Sequence, residues 1–361
     1  MVIILTGGGF PFPSPRKESG GRAPTHRRTD MHGFSRAARA TSALAAACAC
    51  TAATGAITAP PGAAAARPPA WCETGGTLSA RAMPQKVRIA DCDLRGRAIR
   101  GPNGLTAVVP ADGTSLVAHS LRTRGASGLR ILVDEQAGEI TITTRGGRVP
   151  EGRPRTSRAP QDACKDGTYE SEPSTWPKGG TVRWRYHAGR ARLPRTAVAK
   201  GVANMVNANT DCTDEGRFTP PPDIGERYSG ESATGPNVTR DAACGTRDRV
   251  NTFGGKAMTG AESDVLAATC IWFVGKRTVE TDMALQEHGK RWWSGGLCIP
   301  GSYSIEAVVT HEMGHVLGLA HVEGAEHANL TMAPAVAACD NGLATLGKGD
   351  YDGLISLYGP R

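Results

Sequence analysis

His311-Glu312-Met-Gly-His315-Val-Leu-Gly318-Leu-Ala-His321 is the stretch that decides the fold of this chain. Residues four apart on a helix lie on one face, so His311 and His315 can hold one metal ion together. Gly318 is expected to end the helix, because a residue without Cβ readily turns the chain, and the turn returns His321 as a third ligand. Three nitrogen ligands with one open position are typical of a catalytic zinc site. Glu312, beside the first ligand, is placed to act as general base toward a water on the metal.

The charge of the chain does not indicate a nucleic-acid partner. The 361 residues carry 42 Lys and Arg against 34 Asp and Glu, a formal charge of +8. Residues 1–66 hold seven of the basic and two of the acidic residues, so the remainder has a net charge of about +3. That is an ordinary protein surface, and we expect no nucleic-acid binding.

The N-terminal part has the pattern of a secretory leader. From Met31 a short basic region is followed by an Ala-rich, uncharged region that runs to residue 66. This order of regions predicts a signal peptide, and either Met31 is the true start of translation or the leader is unusually long. We therefore assign 1–66 to a leader and expect a secreted, extracellular protein. The remaining sequence has no stretch apolar and long enough to span a membrane.

Cysteine usage agrees with export. Eight cysteines follow the leader, and none of them forms a C-x-x-C pair. An even number suits disulfides in an oxidising compartment. Proximity along the chain suggests the pairs Cys72–Cys92, Cys212–Cys244, Cys270–Cys298 and Cys164–Cys339, although sequence alone does not fix the connectivity.

Composition divides the rest of the chain into three parts. Residues 67–147 alternate apolar and polar side chains between turn signals, which predicts a small β-rich N-terminal domain. Residues 148–163 are rich in Pro and Arg without periodicity, as in an exposed linker. Residues 164–361 are predicted to form the catalytic domain. Within the first part, His119 is a lone histidine in a strand-like run, and we interpret it as a surface or core residue rather than a ligand.

Several elements of the last part follow from local patterns. Pro194 is expected to open a helix whose apolar residues recur at helical spacing through residue 206. The apolar run at 266–274 predicts a buried strand, and the alternation of apolar and polar side chains at 278–285 predicts an exposed or edge strand. Ser304 is a plausible N-cap for the helix that carries the metal-binding motif. A last helix is expected at 351–358.

With these features in place, the chain resembles a known family. The histidine motif, the segment 330–334 (Leu-Thr-Met-Ala-Pro) and the segment 349–359 (Gly-Asp-Tyr-Asp-Gly-Leu-Ile-Ser-Leu-Tyr-Gly) are similar to the matrixin branch of the metzincin zinc peptidases. The likeness is strongest to secreted bacterial matrixin-type peptidases. It covers roughly 164–361 and does not cover 67–147. Residues 280–285 resemble the family's edge strand above the active-site cleft.

The resemblance implies a fold and a site. The fold is α+β, a metzincin-type catalytic domain with a twisted mixed sheet and an active-site helix. His311, His315 and His321 would be the zinc ligands, Glu312 the general base and proton shuttle, and Met332 the methionine of the turn that packs beneath the metal. The implied protein is a monomeric, secreted zinc endopeptidase that hydrolyses protein or peptide substrates with a metal-activated water.

Some features of vertebrate matrixins are missing from the sequence. No histidine lies between His187 and His288, where that branch holds a structural zinc, and no cysteine has the neighbours of its prodomain switch. Calcium is common in the family. Acidic residues in the loop region could supply oxygen ligands for a calcium ion, namely Asp211, Asp214, Asp223, Asp241 and Asp248.

Two questions stay open at the level of sequence. The chain is either an active endopeptidase or a non-catalytic secreted binding protein that retains a metzincin scaffold, and the intact Glu312 favours the enzyme. Residues 67–147 are either an accessory module or a propeptide removed at the linker.

Overall fold

The computed structural model describes residues 67–73, 75–102, 104–146 and 159–361. The predicted leader, the choice of Met31 as start and residues 148–158 of the linker lie outside the described residues. Residues 64–361 belong to one compact unit.

The described part of this unit contains sixteen strands, three helices of 11 or 12 residues and one helix of four residues. The helices are α1 (Ala70–Glu73), α2 (Arg195–Val206), α3 (Ile305–Val316) and α4 (Lys348–Tyr358), with 3₁₀ turns at Ala80–Ala82, Ala325–His327 and Gly342–Ala344. The strands of the N-terminal segment are β1 (Leu78–Ser79), β2 (Lys86–Arg88), β3 (Ala98–Arg100), β4 (Thr106–Val108), β5 (Ser115–Arg122), β6 (Ala126–Asp134) and β7 (Glu139–Gly146). Those that follow are β8 (Glu170–Ser171), β9 (Gly180–His187), β10 (Ile224–Glu231), β11 (Thr252–Lys256), β12 (Val265–Val274), β13 (Arg277–Gln286), β14 (Arg291–Trp293), β15 (Ser302–Ser304) and β16 (Leu319–Ala320). The mixture of sheet and helices is the α+β class expected from the sequence.

One nine-stranded sheet runs through the unit, in the order β10-β9-β11-β13-β12-β5-β6-β7-β2. The strands β9 to β11 and β13 are parallel, whereas β12 is antiparallel to β13 on one side and to β5 on the other. The N-terminal strands therefore continue the sheet of the C-terminal part. A separate β-rich N-terminal domain is not confirmed.

The edge-strand prediction for 278–285 is wrong. β13 lies between β11 and β12 and is buried from Glu280 to Gln286. Its polar residues misled the interpretation, because they pair inside the protein with loop amides. Glu280 accepts backbone N–H bonds from Asp248 (2.9 Å) and Arg249 (2.7 Å), and the carboxylate of Asp282 likewise accepts two backbone N–H bonds.

Two large apolar cores lie against this sheet, besides a small cluster of Val117, Ile271 and Phe273. The first contains α2 and α3 with residues such as Trp184, Val202 and Val309. The second joins apolar residues of the N-terminal segment to β12, with Cys270 and Trp272 among its members. The N-terminal segment and the C-terminal part therefore share a core as well as a sheet.

Four disulfides join cysteines of the described residues, and the pairing by sequence proximity was correct for one. Cys72–Cys92 is confirmed, and the other three predicted pairs are wrong. The remaining bonds are Cys164–Cys212, Cys244–Cys270 and Cys298–Cys339. Sheet pairing brings distant segments together, so the nearest cysteine in sequence is not the nearest in space. No helix in the described part of the chain is long and apolar enough to cross a membrane.

Candidate metal centre

Helix α3 carries the first two histidines of the motif into the protein interior. Its N-terminus is capped as expected, because the Ser304 hydroxyl accepts the backbone N–H of Ala307 at 3.1 Å. The helix ends at Val316, and Gly318 follows with a φ of +96°. A Cβ on Gly318 would lie 2.8 Å from the carbonyl oxygen of Ser174, so both conformation and close approach require glycine. The turn then leads to β16 and His321.

The three histidines of the motif converge. The Nε2 atom of His321 lies 3.1 Å from that of His311 and 3.0 Å from that of His315. Both helical histidines are fully buried. The other ring nitrogen of each contacts a backbone carbonyl, at 2.7 Å for His311 with Thr331 and at 2.8 Å for His315 with Leu319.

These contacts leave lone pairs in the centre of the cluster. An Nδ1–H that donates to a carbonyl forces the Nε2 of the same neutral ring to be an acceptor. Burial lowers the pKa of His311 to about 4 and holds the pKa values of His315 and His321 well below the ordinary value, so the rings are neutral. The Nε2 atom of His321 lies about 3 Å from both of these acceptors, and a single N–H on it could point at only one of them, whereas a metal ion between the rings would bind all three nitrogens. The donor set therefore fits a metal ion such as Zn²⁺.

A turn beneath the cluster holds the His311 ring in place. Met332 is buried, and a Cβ on Gly314 of α3 would lie 2.2 Å from its Sδ atom, so the thioether packs directly under the motif. The carboxylate of Asp350 accepts backbone N–H bonds from Thr331 (2.8 Å), Met332 (3.0 Å) and Gly347. The Thr331 carbonyl in turn accepts the hydrogen bond from Nδ1 of His311. Asp350 thus supports the ring orientation through one intervening residue.

Glu312 is fully buried and has one side-chain partner among the described residues. The Thr269 hydroxyl of β12 donates to its Oε2 at 2.6 Å, while Oε1 has no hydrogen-bond partner. Burial raises the pKa of Glu312 to about 7, and the bond from Thr269 opposes that rise. A carboxyl group in this environment can take up and release a proton near neutral pH.

His119 is the residue that the sequence interpretation missed. Its ring stacks on the His315 ring with centroids 3.7 Å apart and an interplanar angle of 1°. A ligand atom of His119 lies within 4.8 Å of ligand atoms of both His315 and His321. The side chain is 4% exposed and neither ring nitrogen makes a hydrogen bond, although Nε2 lies 3.2 Å from an oxygen of Glu172. No local pattern in 67–147 could have indicated this proximity, because it depends on the pairing of β5 with β12.

A cavity of about 220 Å³ borders the cluster. Its wall includes His119, His321, Glu172 and Arg130. Of the loop carboxylates named for calcium, Asp211 accepts a hydrogen bond from the Thr345 hydroxyl and Asp248 accepts one from the Val250 backbone N–H. Calcium binding stays a prediction.

Comparison with known families supports the resemblance stated from sequence. Residues 251–359 match the family model described as Matrixin, a span that contains β11 to α4 with the three histidines and Met332. No curated protein matched the chain.

Proposed function

Because the chain carries a matrixin-like metallopeptidase domain, we propose that it is a secreted zinc-dependent endopeptidase. The observation that carries this proposal is the convergence of three neutral imidazoles beside a buried glutamate. We assign His311, His315 and His321 as zinc ligands and Met332 as the apolar support beneath them. The four disulfides are compatible with an extracellular protein.

A zinc ion held by these histidines would supply Lewis acidity, which would activate water and polarise the scissile carbonyl. Glu312 supplies the proton transfers. Its carboxylate accepts a proton from the attacking water as the new C–O bond forms, and it returns a proton to the amide nitrogen as the C–N bond breaks. The products are a carboxylic acid and an amine, with no covalent intermediate on the protein. Thr269 orients the carboxylate through its hydroxyl group.

The substrate is proposed to be an extended peptide. β12 is the strand next to Glu312, because Thr269 lies on it and contacts the carboxylate. An extended peptide adds to a strand by backbone hydrogen bonds, while side-chain pockets give specificity. We expect one polypeptide chain to suffice, since all the assigned groups belong to it.

A peptide-library digest tests the proposal. The secreted protein is compared with Glu312→Ala, with a chelator-treated sample and with His288→Ala, a histidine outside the cluster. Each sample is assayed before and after limited proteolysis. We expect cleavage that is lost with Glu312→Ala and with chelator, and retained with His288→Ala. Cleavage unchanged by Glu312→Ala refutes the mechanism. Zinc binding without any Glu312-dependent cleavage supports the alternative of a non-catalytic binding protein.

A further inference from the structure

Strand β5 occupies the side of β12 that an extended substrate would use. The two strands are antiparallel, with Thr269 opposite His119 and Ile271 opposite Val117. Thr269 is the residue that contacts Glu312, so β5 runs along β12 beside the proposed catalytic base. Its backbone makes the bonds with β12 that an added peptide strand would make.

The side chain of His119 enters the metal cluster from this strand. Its Nδ1 atom is buried without a hydrogen-bond partner, a costly state for a polar group, whereas its Nε2 atom lies 3.2 Å from an oxygen of the Glu172 carboxylate. Zinc–nitrogen bonds of about 2.0–2.1 Å place tetrahedral ligand atoms a little over 3 Å apart. The ligand nitrogens of His119, His315 and His321 lie within 4.8 Å of one another, and His311 joins this group through its 3.1 Å contact with His321. The His119 ring, now stacked on His315, would rotate out of the stack to share the ion. A metal bond would also remove the unsatisfied state of the ring.

The site is largely covered in this arrangement. His311, Glu312 and His315 are each 0% exposed, and the half-buried His321 lines the cavity that borders the cluster. Ion pairs hold β5 and its neighbour β6 to the C-terminal part. Arg122 lies 2.7 Å from Glu262 and 2.9 Å from Asp264, and Arg130 lies 2.7 Å from Glu172.

The covalent connections leave the segment separable. Cys72–Cys92 lies wholly within 67–146, and the other three disulfides lie wholly within 159–361. Among the described residues, no disulfide therefore joins the two parts. After a single cut of the chain between them, only non-covalent contacts hold β5 on β12.

We propose that residues 67–146 are an internal inhibitor of the peptidase, in which β5 takes the place of a substrate strand and His119 is a fourth protein ligand of the metal. The inference rests on the proposed function and specifies its regulation. Activity requires that β5 leaves β12, which frees both the strand and the fourth ligand position.

A spectroscopic experiment tests the ligand without relying on activity. The full chain in a Glu312→Ala background is loaded with Co²⁺, and its visible absorption is compared with that of His119→Ala, His119→Phe and His288→Ala forms. His119→Phe keeps an aromatic ring beside His315 but has no ligand nitrogen. We expect a changed cobalt spectrum and at least about a tenfold weaker zinc affinity for both His119 variants, and neither change for His288→Ala. Circular dichroism verifies that each variant is folded.

A second experiment tests the strand. A recognition sequence for a specific protease is placed between residues 146 and 159, and both pieces stay present after the cut. We expect cutting to raise peptide hydrolysis at least about tenfold and to increase amide hydrogen exchange in β12. Glu312→Ala must abolish the hydrolysis of peptides, but it must leave the increase in amide hydrogen exchange of β12 unchanged.

The outcomes separate the two proposals. An unchanged cobalt spectrum in both His119 variants overturns the ligand assignment. Hydrolysis as fast before cutting as after it overturns the inhibitor, and entry through the cavity beside His321 then becomes the route to the site. If no form hydrolyses peptides, the proposed function fails, while the cobalt spectrum and the exchange of β12 still decide the inference.

Discussion

Replacing Asp350 should destabilise the fold and weaken metal binding together. Its carboxylate is the buried acceptor of three backbone N–H groups, from Thr331, Met332 and Gly347. Each buried donor left without a partner costs about 1–3 kcal/mol. Asp350→Ala removes all three hydrogen bonds. Because the surrounding backbone can relax in part, we expect the free energy of unfolding to fall by about 3–5 kcal/mol, which is a large part of the stability of most domains. Asp350→Asn keeps one acceptor oxygen and should lose about 1–3 kcal/mol.

The expected loss of zinc affinity follows from the same three hydrogen bonds to Asp350. Thr331 positions the carbonyl that receives the His311 ring, so a displaced turn misorients a ligand. Loss of an outer partner of this kind typically costs 10–100-fold in metal affinity. Urea unfolding measures the stability, and competition with a chelator measures the zinc affinity. Asp352→Asn is the matched control, since Asp352 lies on the same helix and its ion pair with Lys348 is solvent-accessible. That control should change stability by less than about 1 kcal/mol.

The pH dependence gives the result that would refute the reasoning. Burial raises the pKa of Asp350 to about 6 from an ordinary value of 3.8. An acid with a higher pKa in the folded chain favours folding while it is protonated, so this contribution is present below about pH 4 and is lost as the pH rises through about 6, a total of about 3 kcal/mol. Asn does not ionise. In metal-free protein, the stability advantage of wild type over Asp350→Asn should therefore narrow between pH 4 and pH 7, and an advantage that stays constant or widens contradicts the argument.

The remaining predictions concern the base, the helix packing and the metal. In the cut, active form, Thr269→Val should lower kcat at least about tenfold with little change in zinc affinity, because Glu312 loses the hydroxyl group that orients it. Thr269→Ser keeps a hydroxyl group and should restore the rate. Equal rates for the Val and Ser forms would exclude the orienting role of Thr269. Gly201→Ala should lower the free energy of unfolding, measured in urea, by about 1–3 kcal/mol, since the new Cβ would lie 2.7 Å from the Cβ of Val309. A stabilised variant would show instead that α2 moves freely away from α3. Removing the metal with a chelator should lower the melting temperature and zinc should restore it, with about 3 kcal/mol gained at a hundredfold excess over the Kd; an unchanged melting temperature would exclude a ligand bound in the native state.

Features set by neighbouring residues could be predicted from the sequence. The helix N-cap at Ser304, the helix end before Gly318 and the convergence of the three motif histidines all follow from helical geometry over a few residues. The Met332 turn required the family resemblance, since nothing local distinguishes it from a core methionine.

Features set by long-range pairing could not be predicted in this way. Alternation in 278–285 could not separate an edge strand from a central one, because the buried carboxylates of Glu280 and Asp282 accept loop amides instead of facing solvent. Disulfide pairing failed for the same reason. His119 lies 192 positions before His311 in the chain. Only the register of β5 on β12 brings it to the cluster.

If β5 takes the place of a substrate, some feature must keep its own peptide bonds from being cut. A substrate added to β12 would be bonded along one edge only, whereas β5 pairs with β12 on one side and with β6 on the other, from Leu116 to Leu121. Hydrolysis requires a planar peptide unit to become tetrahedral with its carbonyl polarised by the metal, so that carbonyl would have to turn out of the ladder toward the metal. A strand held in ladders on both sides resists that change more than a strand held on one. His119 adds to this protection, because a ligand nitrogen on the metal excludes the water that would attack.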